Sequence, residues 1–495
     1  MLFLSVDMIK KAEARAMENV SSMHLIEHAA QALYNELKNF NSVRIYCGKG
    51  NNGSDGYATA LLLKENGIYT EIVQVLPPEG EECRKLCRMA TENGIPVMSQ
   101  VTFPSFKFDA VLDAIFGIGI SGIVEHPDIV KAIEIINSSS SYIVSADVPS
   151  GMDADTGREC GICVQADKTV TFTAPKKGML ENSSVDLCGE IVIAKVGINL
   201  NYSEVADATC VPITKEFVRT LLPKKKRYSH KGTFGSAVIV AGSASMPGAS
   251  AMATMAALRS GCGLVKIIAP VSICKVLNIL VKEAIVIPVP EASGIIKPEL
   301  TPDALDAIKT ADSILVGCGL GKGEHHILIK NILASSGCGV IIDADGINAL
   351  AGHMDIIQNK NVLLTPHPKE FSRISSFSVE DIEKGRINKA FSFAKNYGIN
   401  LLLKGARTVI TYGGENQYVS LGATAALAKA GSGDVLAGII VSLAAQGISL
   451  PDSAITACFI HTNSGMLAEK EIGAYGTTAD DIIKLIPRSI RDIQN

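Results

Sequence analysis

The chain lacks the basic surplus that binding to a nucleic-acid backbone requires: 46 lysines and arginines stand against 50 aspartates and glutamates, a formal net charge of -4. Nucleic acid is therefore not an expected partner. The 12 cysteines form no metal-binding pattern. The closest pairs, Cys160/Cys163 and Cys83/Cys87, have no second pair at zinc-site spacing and no histidines placed to complete four ligands, so reduced core or surface thiols are expected. An apolar run of only four residues precedes Ser5 and Asp7, too short for a signal-peptide core, which points to a cytoplasmic protein. Ser236 to Leu258 carries no charge, but Gly242, Ser243, Ser245, Pro247 and Gly248 break it into strand, turn and helix, so no membrane span is expected. No period of about 20 to 50 residues is visible, which excludes solenoids and propellers.

What is present is an ordinary soluble composition, 47% apolar and 19% charged, spread over 495 residues. That length exceeds one hydrophobic core and favours two domains. The first half alternates short β-branched runs with helical stretches, the pattern of a parallel sheet covered by helices. Val43–Cys47 and Ile68–Leu76 read as strands, with a helix over Tyr57–Glu65 between them. Ala110–Asp113 and Tyr142–Asp147 are strands that each end in a carboxylate, at the edge where open α/β sheets place ligands. Between Pro212 and His230 the chain becomes charged and proline-punctuated. Residues 1–212 and 230–495 are read as domains, with 213–229 as a linker whose basic cluster Lys224-Lys225-Lys226-Arg227 reads as solvated surface. The α/β rhythm then restarts with strands at Ala237–Val240, Ser313–Val316, Val340–Asp343 and Leu401–Leu403.

GKGNNGSDG, from Gly48 to Gly56, places four glycines and two asparagines in a strand-to-helix turn. Such a turn lets backbone N–H groups and a helix N-terminus approach a phosphate or pyrophosphate. Asp113 opens the loop DAIFGIGISG and Asp147 opens DVPSGMDADTG, so oxygen ligands stand beside glycine-rich backbone at three strand ends. Oxygen donors suit a hard cation, with Asn52, Asp113 and Ser150 as candidates; helix capping or loop bonding is the plainer role for either carboxylate alone. These three motifs, within residues 8 to 197, resemble the NAD(P)H-hydrate epimerase family. The resemblance implies a Rossmann-like three-layer fold and a potassium ion at Asn52, Asp113 and Ser150. It also implies hydrate contacts from Asn51, Asn52, Gly53, Ser54 and Asp55, from Gly117, Ile118, Gly119, Ile120, Ser121, Gly122 and Ile123, and from Asp147. Ser54 replaces the glycine usual in the family, and Ile123-Val124-Glu125 follows Gly122 where Gly-Glu is common. Asp147 is the expected acid/base for epimer exchange, because the ring nitrogen beside the hydroxyl-bearing carbon supplies the push and no nucleophile is needed.

Ala430 to Gly438 reads AGSGDVLAG before an apolar helical stretch. Backbone N–H groups of Gly431, Ser432 and Gly433 at a helix start form an anion hole for a migrating phosphoryl group, with Asp434 positioned to take a proton from an attacking hydroxyl. With AGSASMPGAS from Ala241, GCGLG from Gly317, DADGIN from Asp343, TPHPKEFSR from Thr365 and LKGART from Leu403, this string resembles the nucleotide-dependent NAD(P)H-hydrate dehydratase family, over residues 230 to about 487. The resemblance implies a ribokinase-like α/β domain. It places a nucleotide against Lys404, Gly405, Ala406, Arg407, Thr408 and Gly433, and the hydrate against Gly319, His367 and Asp434. It further implies ADP as donor, with magnesium. The segment Gly422–Leu427 lacks the asparagine usual in the family, and Lys369 stands where glycine is common. His367 is equally readable as a backbone-capping loop residue, and Asp343 and Asp345 as loop-orienting groups or magnesium ligands.

Two further readings stay open at this point: a ribokinase-like vitamin or thiazole kinase carrying an accessory domain, and an N-terminal half that binds without catalysing. Hydrated NADH and NADPH and ADP are the expected small-molecule partners, and a homo-oligomer the expected assembly.

Overall fold

A computed structural model describes residues 2–120, 122–198, 210–225, 227–413 and 416–495. Ser121, one of the expected hydrate contacts, and Lys226 of the basic cluster lie outside the described residues. The chain divides into two compact units, residues 1–212 and 213–495.

The first unit is built on seven strands: β1 (Ser42–Cys47), β2 (Tyr69–Gln74), β3 (Val97–Met98), β4 (Ala110–Ala114), β5 (Tyr142–Ala146), β6 (Lys168–Phe172) and β7 (Glu190–Ala194). They lie in the order β3-β2-β1-β4-β5-β6-β7, every pair parallel. Alternation along β1 sends Val43, Ile45 and Cys47 to one face, against helices Ser22–Leu37, Asn51–Glu65 and Glu81–Glu92. Tyr46 goes to the other face, toward helix Pro127–Asn137. The chain reverses its direction of travel across the sheet between β1 and β4. That is a topological switch point, where a crevice opens beyond the strands' C-terminal ends.

The helix expected from Tyr57 begins at Asn51, so most of the glycine-rich string is helix rather than turn. The reason is packing: a Cβ on Gly56 would lie 2.8 Å from both Cys47 Sγ and Ala114 Cβ, so glycine lets this helix settle onto β1 and β4.

Strand β8 (Cys210–Ile213) spans the boundary, and the second unit holds β9 (Ser236–Val240), β10 (Leu264–Pro270), β11 (Ile285–Val289), β12 (Glu291–Ala292), β13 (Ile295–Ile296), β14 (Ser313–Val316), β15 (Gly339–Ile342), β16 (Val362–Leu364), β17 (Asn400–Leu403), β18 (Val409–Tyr412) and β19 (Asn416–Ser420). Ten of these form one sheet, in the order β11-β10-β9-β14-β15-β16-β17-β18-β19-β8. It is parallel from β11 to β17, then antiparallel through β18 and β19. β12 and β13 pair as a separate antiparallel ribbon. Ser236–Leu258 resolves into β9, a turn and helix Pro247–Arg259. No helix among the described residues is long and apolar enough to cross a membrane. Helix Ser432–Ala445 is buried along almost its whole length and packs on helix Pro247–Arg259, with Gly438 at the crossing.

Candidate functional site

In the first unit, the turn after β1 is held by close backbone approach. A Cβ on Gly48 would lie 1.9 Å from Ile115 O, and one on Gly53 would lie 2.1 Å from Gly48 O. Helix Asn51–Glu65 starts at Gly50 with no side-chain cap, so its first amides remain available to a ligand. Asn51 is exposed, while Asn52 to Asp55 are buried. The Asn52 Nδ2 has no hydrogen-bond partner.

Asp113 is fully buried on β4. Its carboxylate accepts from Ser145 Oγ at 2.8 Å, Ser150 N at 2.8 Å, Ser150 Oγ at 2.5 Å and Ile115 N at 3.3 Å. Burial raises its pKa, and these donors pull it back only in part. Ser150 Oγ in turn accepts from Phe116 N at 2.9 Å, which ties the two loops together. Asp147 follows β5 with a φ of 67°, a left-handed conformation uncommon for a residue with a side chain. Its Oδ1 accepts from Phe172 N at 3.0 Å and from Lys176 Nζ. Lys176 is 1% exposed and also donates to Thr171 Oγ1 at 2.8 Å and Phe172 O at 3.0 Å. A Cβ on Gly117 would lie 3.4 Å from Asp147 Oδ2 and 3.7 Å from Asn52 Oδ1, so these three residues converge on one spot.

Two further acids join them. Burial, then the neighbouring Asp147 charge, raises the Asp55 pKa well above the usual range, and the same two causes raise that of Glu13 on helix Val6–Ala16. Sequence reasoning missed Glu13 and Lys176. Nothing in the string Pro175-Lys176-Lys177 separates the buried lysine from its exposed neighbour, and Glu13 sits far from any glycine-rich motif. Gly119, Ile120, Gly122 and Ile123 line a shallow cavity of about 350 Å³, with Ile123 largely exposed, and Ile118 packs against the small Leu4–Ile9–Ala174 cluster.

In the second unit, Gly431 precedes helix Ser432–Ala445 with a φ of 88°. A Cβ there would also lie 2.5 Å from Met252 Sδ, a contact to which that flexible side chain could yield, so the positive φ is what calls for glycine. Asp434, in the first turn, has its pKa raised to about 7 by burial and then by the Asp343 charge. Asp343 is 1% exposed and accepts from Lys404 Nζ at 2.6 Å and Thr365 Oγ1 at 2.7 Å. Burial works against the Lys404 ammonium, but the Asp343 and Glu370 carboxylates outweigh it and raise its pKa. A Cβ on Gly433 would lie 3.3 Å from Lys404 Nζ, which puts this cation beside the helix start. Cys318, Asp343 and Asp434 present ligand atoms within 4.8 Å of one another.

The other expected residues play varied parts. Gly319 has a φ of 63°, and a Cβ there would meet Ala249 Cβ at 2.7 Å. His367 caps helix Pro368–Ile374: Nδ1 accepts from Lys369 N at 3.1 Å and Glu370 N at 3.3 Å. Burial, then Lys404, lowers its pKa and favours the neutral ring that such capping needs. Asp345 accepts from Gly321 N at 2.9 Å, so it orients the GCGLG loop. Arg407 is fully buried and donates to Leu421 O, whereas Gly405 and Ala406 are exposed and Thr408 half-buried. His461, missed by sequence reasoning, is 7% exposed with an unpartnered Nε2, and burial lowers its pKa to about 4.

A seven-stranded parallel sheet with glycine-rich loops at its switch point, followed by a mixed sheet with a glycine-led helix start beside buried carboxylates, defines a two-unit α/β enzyme. Residues 22–178 match the family described as YjeF-related protein N-terminus, and residues 237–488 match NAD(P)H-hydrate dehydratase. The chain is 31% identical to the bifunctional NAD(P)H-hydrate repair enzyme of Dictyoglomus turgidum over 100% of this chain and 99% of that protein. It is 31% identical to that of Escherichia coli over 90% of this chain and 84% of that protein. Among solved structures, a ribokinase-like superfamily protein from Enterococcus faecalis matches with a TM-score of 0.51 and 25% identity, covering 60% of this chain and 99% of that one. An ADP/ATP-dependent NAD(P)H-hydrate dehydratase from Bacillus subtilis, co-crystallised with ATP and Mg²⁺, matches at 29% identity and a TM-score of 0.49, covering 57% and 97%. This chain belongs to the bifunctional NAD(P)H-hydrate repair enzyme family.

Proposed function

We propose that the first unit interconverts the R and S hydrates of NADH and NADPH, and that the second dehydrates the S hydrate at the expense of ADP. The observation that carries the reading is Asp434. A carboxyl with a pKa near neutrality lies in the first turn of a helix whose amides and adjacent Lys404 form a cationic seat. In that seat, Asp434 takes the proton from the hydrate's hydroxyl as its oxygen bonds to the β-phosphorus of ADP. The phosphoanhydride bond breaks and AMP leaves. The ring nitrogen's lone pair then expels inorganic phosphate from the same carbon, and loss of a proton from the adjacent ring carbon restores the dihydropyridine. Gly431, Ser432 and Gly433 hold the migrating group, Lys404 balances its charge, and Gly405 and Ala406 offer exposed backbone to the nucleotide.

In the first unit, Asp147 and Lys176 are a buried proton donor and acceptor pair, and Asp55, with its raised pKa, is a carboxylic acid suited to protonating the leaving hydroxyl. The amides at Asn51 to Gly53 receive the pyrophosphate. Asn52, Asp113 and Ser150 are the residues that would hold a hard monovalent cation: each offers an oxygen, all three are buried, and Asn52 Oδ1 faces the spot beside Gly117. Potassium there would offset buried negative charge near the pyrophosphate. Asp343 and Asp434 are carboxylates that could face magnesium carried by the nucleotide. Since Lys404 already neutralises Asp343, that ion would be held mainly by phosphate oxygens.

The test is incubation with an R,S mixture of NADH hydrate with and without ADP, following recovery of dihydropyridine absorbance. Complete, ADP-dependent recovery is expected. No recovery with ADP or ATP overturns the reading.

A further inference from the structure

The first unit contains a second cavity, of about 260 Å³, away from the converging loops described above. The segments that line it, Phe103 to Phe108 and Ser138 to Ser141, are those by which the chain enters β4 and β5. It therefore lies at the strands' N-terminal ends, whereas Gly48, Gly117 and Asp147 lie beyond their C-terminal ends. Arg44, from the third position of β1, lines it and is 2% exposed. Its Nε sits 2.8 Å from Glu71 Oε1, yet its Nη1 is buried with no hydrogen-bond partner. A guanidinium carries five donors, and a buried donor left without an acceptor is costly, the more so on a charged group. Lys107 adds a second cation to the lining, and no carboxylate lines it.

The walls have a second character. The chain has only 5% aromatic residues and no tryptophan, yet Tyr46, Phe103, Phe106 and Phe108 all line this one cavity. Phe106 and Phe108 stack at 4.4 Å, and Tyr69 joins them 5.6 Å from Phe106. Phe103 and Phe106 are 70% and 45% exposed, which for large apolar side chains marks a contact surface.

We infer that this cavity binds a flat aromatic carboxylate, whose ring lies among Tyr46, Phe106 and Phe108 and whose carboxylate meets Arg44 Nη1 and Lys107. A planar carboxylate matches the guanidinium edge, and an aromatic ring matches walls that would reject a strongly hydrated inorganic phosphate.

The experiment uses the whole chain and titrates 2-naphthoate against its neutral twin 2-naphthamide, by ligand-observed NMR and calorimetry. Naphthoate binds about tenfold more tightly than the amide or better. Lys107→Met and Phe106→Ala each weaken it by about fivefold or more, and the charge-neutral pair Arg44→Gln with Glu71→Gln abolishes it. Should the double variant fail to fold, the two substitutions at exposed positions decide the matter. Saturating ADP leaves naphthoate bound. Equal affinity for acid and amide, displacement by ADP, or indifference to Lys107→Met and Phe106→Ala would each overturn the proposal. So would a dimer that dissociates on Phe106→Ala, since a second copy would then be the occupant.

Discussion

Asp434 takes its role from its surroundings rather than from its side chain alone. Burial and the Asp343 charge lift its pKa from 3.8 to about 7, so at neutral pH it is poised between acid and base. ADP-dependent turnover is expected to rise with pH through an inflection near 7 and then level, because only the ionised form accepts the hydroxyl proton. Asp434→Asn abolishes that turnover. The raised pKa also fixes a sign for stability. The folded protein holds this proton more tightly than the unfolded chain, so Asp434 favours folding at low pH, and that favour is lost as pH rises from about 4 to 7. At pH 8 Asp434→Asn should therefore be more stable than the parent by about 2–4 kcal/mol, as an order of magnitude from 1.36 kcal/mol per pKa unit, and near parity at pH 4. Denaturant titrations at the two pH values check this. His461 has the opposite history: its pKa falls from 6.5 to about 4 through burial. The unfolded chain takes up this proton first, so the second unit loses stability as pH falls from about 6.5 to 4. His461→Gln should flatten that decline in thermal melts taken across the window. In the first unit, Lys176→Met leaves Asp147 without its buried counter-charge. Epimer exchange should slow by about a hundredfold or more while dehydration of purified S hydrate is unchanged, which chiral chromatography of the hydrates would reveal.

At the scale of elements, both sites depend on a helix N-terminus brought unusually close to other backbone. Glycine makes each approach possible. Gly53 stands where any side chain would strike Gly48 O, and Gly438 where it would strike Ala253 O at 2.1 Å. Gly438→Ala must push helix Ser432–Ala445 away from helix Pro247–Arg259, at a cost of about 1–3 kcal/mol. Because the same helix carries the proposed anion hole at its start, the displacement should also weaken nucleotide binding. Calorimetric unfolding together with ADP titration separates the two effects. A loss of stability with ADP affinity intact would show that the helix start is held from elsewhere, for instance by Ser432 Oγ donating to Leu427 O at 2.7 Å.

As a whole molecule, the protein joins two units that each have their own buried core and their own set of converging acids and amides. If the sites act independently, an Asp147→Asn chain mixed with an Asp434→Asn chain should restore complete conversion of the R,S hydrate mixture. The hydrate epimer released by one chain is then consumed by the other. Recovery limited to one epimer's share would show that the two activities must reside in the same molecule.

The sequence by itself determined the strand centres and the glycine-rich segments that follow β1 and precede helix Ser432–Ala445. β-branched runs have few alternatives to a buried parallel strand, and glycine strings before apolar helices have few alternatives to a close backbone approach. It did not determine that the helix after β1 begins at Asn51, because the glycines that permit this answer to Cys47, Ala114 and Gly48, partners that are visible only once the sheet is assembled. Nor did it single out Lys176, Glu13 or Lys404's bond to Asp343. A lysine's burial and a carboxyl's proton affinity depend on neighbours distant in the chain, since desolvation and charge act through space at ångström range. Tertiary structure decided those, and with them the direction in which burial shifts Asp55, Glu13 and Asp434.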